Sequence, residues 1–163
     1  MKKQVVVRDR DNNKFKVSVD KLTFRPSVYG VIIKTGKILL ARQWDGYEFP
    51  GGGINLHETI EEGLKREVWE ETGYKVRMGN ILHSETSFFT PAPYYKGVFW
   101  NCVLIYYICS IVSGKISTKH FDDNEKKIMS MAEWVDLKDI GKLKFYNSID
   151  SAKLIKKALE IKS

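Results

Sequence analysis

A chain of 163 residues with 43% hydrophobic and 29% charged content can bury a sizeable core and calls for one globular domain, residues 1–163. Its formal net charge of +7 favours polyanionic ligands such as nucleotides or RNA, and the basic residues are spread along the chain with a late concentration at Lys153, Lys156, Lys157 and Lys162. The longest apolar run, residues 103–109, is too short to span a bilayer, and Met1-Lys2-Lys3 leads into no signal-type apolar segment, so a soluble cytoplasmic protein is expected.

In chain order, residues 4–8 and 14–19 read as an N-terminal β-hairpin around Asp11-Asn12-Asn13, placed to cover an edge of the fold. Residues 27–33 and 37–42 are strongly β-prone and separated by Thr35-Gly36, which predicts a second hairpin. Trp44, Tyr47 and Phe49 then lead into Pro50-Gly51-Gly52-Gly53, where glycines permit conformations and close approaches that a Cβ would obstruct.

The next element is a helix over about residues 60–72. Thr59 followed by Glu62 makes a capping box at its start, and Gly73 stands where a C-terminal cap belongs. At about 100° per residue, Ile60, Leu64 and Val68 share one side, with Glu62, Lys65 and Trp69 opposite. Glu67 and Glu71 fall within about 20° of Ile60, inside the apolar stripe, and Glu70 lies about 80° from it. Glu-rich helices are usually solvated or paired with Lys at i+4, a pattern that does not explain carboxylates on the buried side. Gathering anions at the edge of a core raises repulsion and desolvation cost, so a compensating cation is needed, and Arg66 alone cannot neutralise all three. Oxygen ligands at i, i+3 and i+4 suit a hard divalent cation, with Mg²⁺ the first choice and Mn²⁺ the second.

Beyond the helix, residues 74–78 and 81–84 read as short strands and Thr90-Pro91-Ala92-Pro93 as a loop. Residues 99–112 predict a buried central strand. It carries Cys102 and Cys109, which an extended backbone holds far beyond disulfide reach. Residues 120–127 are polar and acidic, and residues 128–135 return to strand. A final helix, capped by Asn147 or Ser148, runs to about Ile161. Its apolar side is Ile149, Ala152, Ile155, Ala158 and Leu159, and Lys153, Lys156 and Lys157 form its solvated side. Strands interrupted by one helix and closed by another suit a mixed sheet with helices on both faces, an α/β fold.

The stretch from Gly52 to Tyr74 resembles the Nudix box, G-x5-E-x7-R-E-U-x-E-E-x-G-U with U a bulky aliphatic, through Gly52, Glu58, Arg66, Glu67, Val68, Glu70, Glu71 and Gly73. Every fixed position matches, and Tyr74 in place of the last aliphatic is the one departure. Glu48-Phe49-Pro50-Gly51-Gly52 and Trp134-Val135 also resemble the family's flanking signatures. The resemblance implies an α/β/α sandwich with a catalytic loop–helix–loop. It also implies metal-dependent hydrolysis of the diphosphate linkage in a nucleoside diphosphate joined to a group X.

Within that reading Glu67 and Glu71 are the leading metal ligands, Glu70 is a third ligand or the base, and the carbonyl of Gly51 is a further ligand by family resemblance. Arg66 orients the site by pairing with Glu58. Arg42 and Phe49 are candidate substrate contacts, and Glu125, beside Asp122 and Asp123, is the leading candidate for a later-loop acid that completes the site. Phe88, Phe89, Tyr94, Tyr95 and Trp100 are either base-stacking groups or core. The first expectation for substrate is a nucleoside triphosphate giving a monophosphate and pyrophosphate. A nucleotide sugar or ADP-ribose is next, then a non-catalytic nucleotide or RNA sensor. Capped RNA stays among the partners, no membrane is expected, and monomer and homodimer are both open.

Overall fold

The computed structural model describes residues 2–91, 96–123, 125–146 and 148–162. In chain order its elements are β1 (Gln4–Arg8), β2 (Lys14–Ser18), β3 (Leu22–Lys34), β4 (Lys37–Gln43), β5 (Gly46–Glu48), β6 (Gly51–Gly53), α1 (Ile60–Thr72), β7 (Tyr74–Phe89), β8 (Phe99–Gly114), α2 (Glu125–Ile128), β9 (Met129–Asp136) and α3 (Ser151–Lys162).

The strands join in the order β2-β1-β7-β8-β3-β4-β5, with β6 on β3 and β9 on β4. Pairing is mixed: β3 runs parallel to β8 from Leu22–Phe99 to Ile32–Cys109, and β1 meets β7 in parallel at Arg8–Phe89, while the other pairs are antiparallel. Strand β3 hands over from one layer to the next. Its middle pairs with β6 and β8, and its last residues, Ile33 and Lys34, pair with β4 across the Thr35-Gly36 turn. Both turn residues have positive φ, 47° and 73°, as a tight two-residue hairpin turn requires.

Period-two alternation along β3 places the core on both faces. Val28 and Ile32 pack with Leu64 and Val68 of α1, while Tyr29 and Val31 join a cluster with Leu154, Ile155 and Ala158 of α3. Helices therefore cover both faces of a curled mixed sheet, as the sequence predicts. Burying each of these larger side chains contributes about 1.5–3 kcal/mol, so the two clusters fix the position of α1 against the sheet.

Several boundaries differ from expectation. Strand β3 begins at Leu22, because β8 supplies parallel partners for the residues before Ser27. The two short strands expected over 74–84 are one strand, β7, whose pairing with β8 survives register irregularities after Lys75, Met78 and Ile81. Helix α3 starts at Ser151 rather than just after residue 148, since Asp150 supplies the cap: its Oδ1 accepts the N–H of Lys153 at 3.0 Å. Asn147 lies outside the described residues. In α3, Ala152 and Leu159 are exposed, and Ser151 and Leu154 take the buried positions.

Ile60 is 39% exposed rather than core-facing. It opens the first turn of α1, and there Ile54 from the preceding loop packs on the α1 cluster instead. Among the described residues, no helix is long and apolar enough to cross a membrane.

Candidate active site

Helix α1 begins and ends as its caps dictate. Thr59 Oγ1 accepts the Glu62 N–H at 3.2 Å, Glu62 Oε2 accepts the Thr59 N–H at 2.8 Å, and Gly73 closes the helix at φ 79°. The helix sits close to the sheet because Gly30 presents no side chain to it: a Cβ there would stand 3.3 Å from Val68 Cγ2. Held this way, α1 turns Glu67 and Glu71 toward strand β6.

Strand β6 is three glycines in succession, and two of them show why. At Gly51, with φ 151°, a Cβ would stand 2.2 Å from the Val28 carbonyl oxygen. At Gly52 it would stand 2.7 Å from the carboxylate carbon of Glu67. The Glu67 carboxylate therefore lies directly against backbone, while Oε2 of Glu71, only 4% exposed, accepts the Gly51 N–H at 2.9 Å. A backbone N–H and a carboxylate thus fix the loop onto the helix.

Arg66 gathers the remaining acids. Its Nε and Nη2 donate to the two oxygens of Glu58 at 2.5 and 2.9 Å, and Nη2 also donates to the Gly53 carbonyl at 3.0 Å. Its Nη1 lies 2.9 Å from an oxygen of Glu67 and 2.9 Å from one of Glu70. The Arg66 guanidinium holds the Glu58 carboxyl well down, at about 2. Arg66 thus ties loop to helix, through both oxygens of Glu58 and the Gly53 carbonyl.

Of these groups Gly51, Gly52, Glu67 and Glu71 border a cavity of about 930 Å³. Sequence reasoning missed two further groups there. Arg25 of β3 donates from Nη1 to Ser27 Oγ at 2.7 Å and lies 4.5 Å over the Trp100 ring. Its guanidinium would be 2.9 Å from a Cβ on Gly53, which places it at the edge of the glycine strand. Glu48, at the end of β5, also lines the cavity, and burial pushes its carboxyl up to about 8 against the opposing pull of Arg25. Glu48 stood in the quoted Glu48-Phe49-Pro50 run, but only the Ser27–Gly53 register brings Arg25 beside the loop.

Two expected substrate contacts lie elsewhere. Arg42 pairs with Glu133 at 2.7 Å beside the Tyr47 ring and is not among the cavity-lining residues, because its strand position faces β9. Phe49 is fully buried between Tyr106 and Phe145, with ring centroids 5.8 and 6.0 Å away, and serves the core. Phe89 and Trp100 stack at 6.1 Å and do line the cavity. Tyr94, Tyr95 and the side chain of Glu125 lie outside the described residues. Of the neighbouring acids, Asp122 lines the cavity, and Asp123 is 3.1 Å from Lys126.

The donor set available to a cation is all oxygen: the carboxylates of Glu67, Glu70 and Glu71 and the carbonyl of Gly51. That chemistry fits a hard divalent ion. Among the described residues no three His, Cys, Asp or Glu side chains are already drawn into a metal cage, and Arg66 holds Glu67 and Glu70 in the meantime.

A family model for the NUDIX domain matches residues 23–158. An ADP-ribose pyrophosphatase of Methanocaldococcus jannaschii is 29% identical over 156 residues, covering 93% of this chain and 80% of that protein. A MutT-like protein of Streptomyces ambofaciens is 45% identical over 58 residues, 34% of this chain and only 38% of that protein's length. Among solved structures, an ADP-ribose pyrophosphatase from Streptococcus suis superposes with a TM-score of 0.63 at 18% identity, covering 86% of this chain and 92% of that one.

Proposed function

Since the chain belongs to the Nudix family of hydrolases, we propose that it cleaves the diphosphate linkage of a nucleoside diphosphate joined to a sugar-like group X, as in ADP-ribose or a nucleotide sugar. One observation carries this reading: Glu67 and Glu71, fixed by Gly51 and Gly52, open onto a cavity of about 930 Å³. That is near the upper end of the roughly 300–1,000 Å³ of small-molecule pockets and suits a substrate with a second bulky half. The alignment with the M. jannaschii protein adds support, because it continues far beyond the α1 region.

Glu67, Glu70, Glu71 and the Gly51 carbonyl would hold a divalent cation, Mg²⁺ before Mn²⁺. When bound, it neutralises diphosphate oxygens and lowers the pKa of a water. The chain's own residues do the rest. Arg66 keeps Glu58, Glu67 and Glu70 in register, and Arg25 offers its guanidinium to a phosphate oxygen at the edge of β6. Glu70, the most exposed of the three acids on α1, accepts the proton of the attacking water. The products are a nucleoside monophosphate and phosphorylated X.

The test is chromatographic detection of AMP and ribose phosphate from ADP-ribose, beside UDP-glucose and nucleoside triphosphates, with Mg²⁺ and with Glu71→Gln as control. Turnover of triphosphates alone, with release of pyrophosphate, would replace the sugar-linked class by the triphosphate class expected first from sequence.

A further inference from the structure

Strand β5 ends on two side chains that go opposite ways. The Tyr47 hydroxyl donates to Glu133 Oε2 at 2.9 Å, on the face turned to β9, and Glu48 points into the cavity. The groups it meets there come from β3 and β8. Tyr29, stacked on Tyr106 at 5.1 Å, and Cys102 are buried, and burial pushes the Tyr29 hydroxyl and the Cys102 thiol up, so both are neutral. Arg25 is the charge that acts on Glu48, but its Nη1 donates to Ser27 Oγ. Among the described residues no group hydrogen-bonds the Glu48 carboxyl.

A half-buried carboxyl that lines a cavity with no hydrogen-bond partner has its capacity left for a ligand, because polar groups taken from water without a partner cost free energy. Pushed up to about 8, it is neutral at pH 7 and does not repel a diphosphate. A neutral carboxyl offers one O–H donor and one carbonyl acceptor. Vicinal hydroxyls match that pair: one donates to the carbonyl oxygen and the other accepts the carboxyl proton. The position of Glu48 suits a sugar. It stands three residues before Gly51, no more than about 11 Å away along an extended chain. Arg25 acts on it while also reaching the edge of β6, and the first group beyond a diphosphate in such a substrate is a sugar on either side.

We infer that Glu48 is a specificity-determining residue that hydrogen-bonds the vicinal hydroxyls of a sugar attached directly to the diphosphate. The inference rests on the diphosphate-cleaving reading above and narrows its substrates to those with an unmodified diol at that place. The diol can belong to the ribose of the nucleoside or to the sugar of X.

The full chain, Glu48→Leu and Glu48→Gln are compared on ADP-ribose and two analogues, one lacking the vicinal hydroxyls of its adenosine ribose and one lacking those of its terminal ribose. In the parent, kcat/KM is expected to be at least about tenfold higher for ADP-ribose than for one analogue, and that analogue identifies the sugar. Glu48→Leu should erase the preference, while Glu48→Gln, which keeps a donor and an acceptor, should retain most of it. General damage to the fold lowers all three substrates together and cannot mimic a changed ratio. A parent that turns over all three equally, or a preference that survives in Glu48→Leu, overturns the inference. A second readout needs no turnover: calorimetric binding, in chelator, of AMP and ribose 5-phosphate beside their counterparts without vicinal hydroxyls. One pair should differ about tenfold in the parent and not in Glu48→Leu. Equal binding within both pairs by the parent overturns the inference. Discrimination in binding without hydrolysis of any nucleotide instead counts against the proposed reaction and leaves the role of Glu48 standing.

Discussion

The Glu67 carboxylate lies so close to Gly52 that a Cβ there would stand 2.8 Å from each of its oxygens. Gly52→Ala is therefore expected to push the end of a flexible side chain aside rather than break the fold. Displacing a reacting group by about 1 Å costs about 10²-fold in rate, so kcat/KM should drop by that order with little change in melting temperature. A variant with parental activity would remove Glu67 from the site.

Glu71→Gln keeps an acceptor for the Gly51 N–H but loses the charge. Turnover is expected to fall by about two to three orders of magnitude. In the parent, a divalent ion at 100 times its Kd adds about 2.7 kcal/mol of stability, seen as a rise in melting temperature that chelator reverses. The same titration should leave Glu71→Gln nearly unmoved, and an equal rise in both would place the ion elsewhere.

Glu58 gives the protein an acid-side weakness. Its carboxyl, held at about 2 by Arg66, stays ionised in the folded chain far below its ordinary 4.5. A depressed carboxylate adds stability that is present above pH 4.5 and lost as pH falls from there toward about 2. Glu58→Gln is expected to cost about 1–3 kcal/mol at neutral pH and to flatten that acid limb in urea unfolding. An acid limb as steep as the parent's would show that other carboxylates govern it.

Glu48 works in the opposite direction. With its carboxyl pushed up to about 8, the folded chain holds a proton that the unfolded chain releases near 4.5, so stability declines as pH rises between those values. In chelator, Glu48→Gln should gain on the parent steadily from about pH 5 to about pH 8. Parallel pH profiles for the two proteins would mean that Glu48 ionises normally.

The elements that sequence reveals best are those whose signals are local. Thr59, Glu62 and Gly73 bound α1 because caps act within one turn, and Thr35-Gly36 marks a hairpin because the turn itself demands positive φ. The carboxylate pair on the buried side of α1 is legible for the same reason: helical geometry alone puts Glu67 and Glu71 there. What remained hidden depends on register between distant strands. Arg25 meets the glycine strand only because Ser27 pairs with Gly53, and Arg42 turns to Glu133 only because β4 pairs with β9. Residues 74–84 look interrupted because a bulge breaks alternation without breaking the strand, and only β8 alongside reveals their continuity. The exposure of Ile60 is likewise set by Ile54, a loop residue that no periodicity could place.

The parallel pairing of β3 with β8 bears on how the chain reaches this state. Each register pair joins residues 77 positions apart, and contacts of such long range slow folding because a large loop must close before they form. During synthesis β3 leaves the ribosome well before its partner, so Val28, Val31 and Ile32 wait uncovered while α1 and β7 are made. Helix α1 carries its own caps, and the glycine strand that seats its acids pairs with β3, so both lie in the part of the chain made before β8. Nascent chains halted before residue 99 should therefore aggregate more readily than those halted after residue 114, with the apolar face of β3 as the adhesive surface.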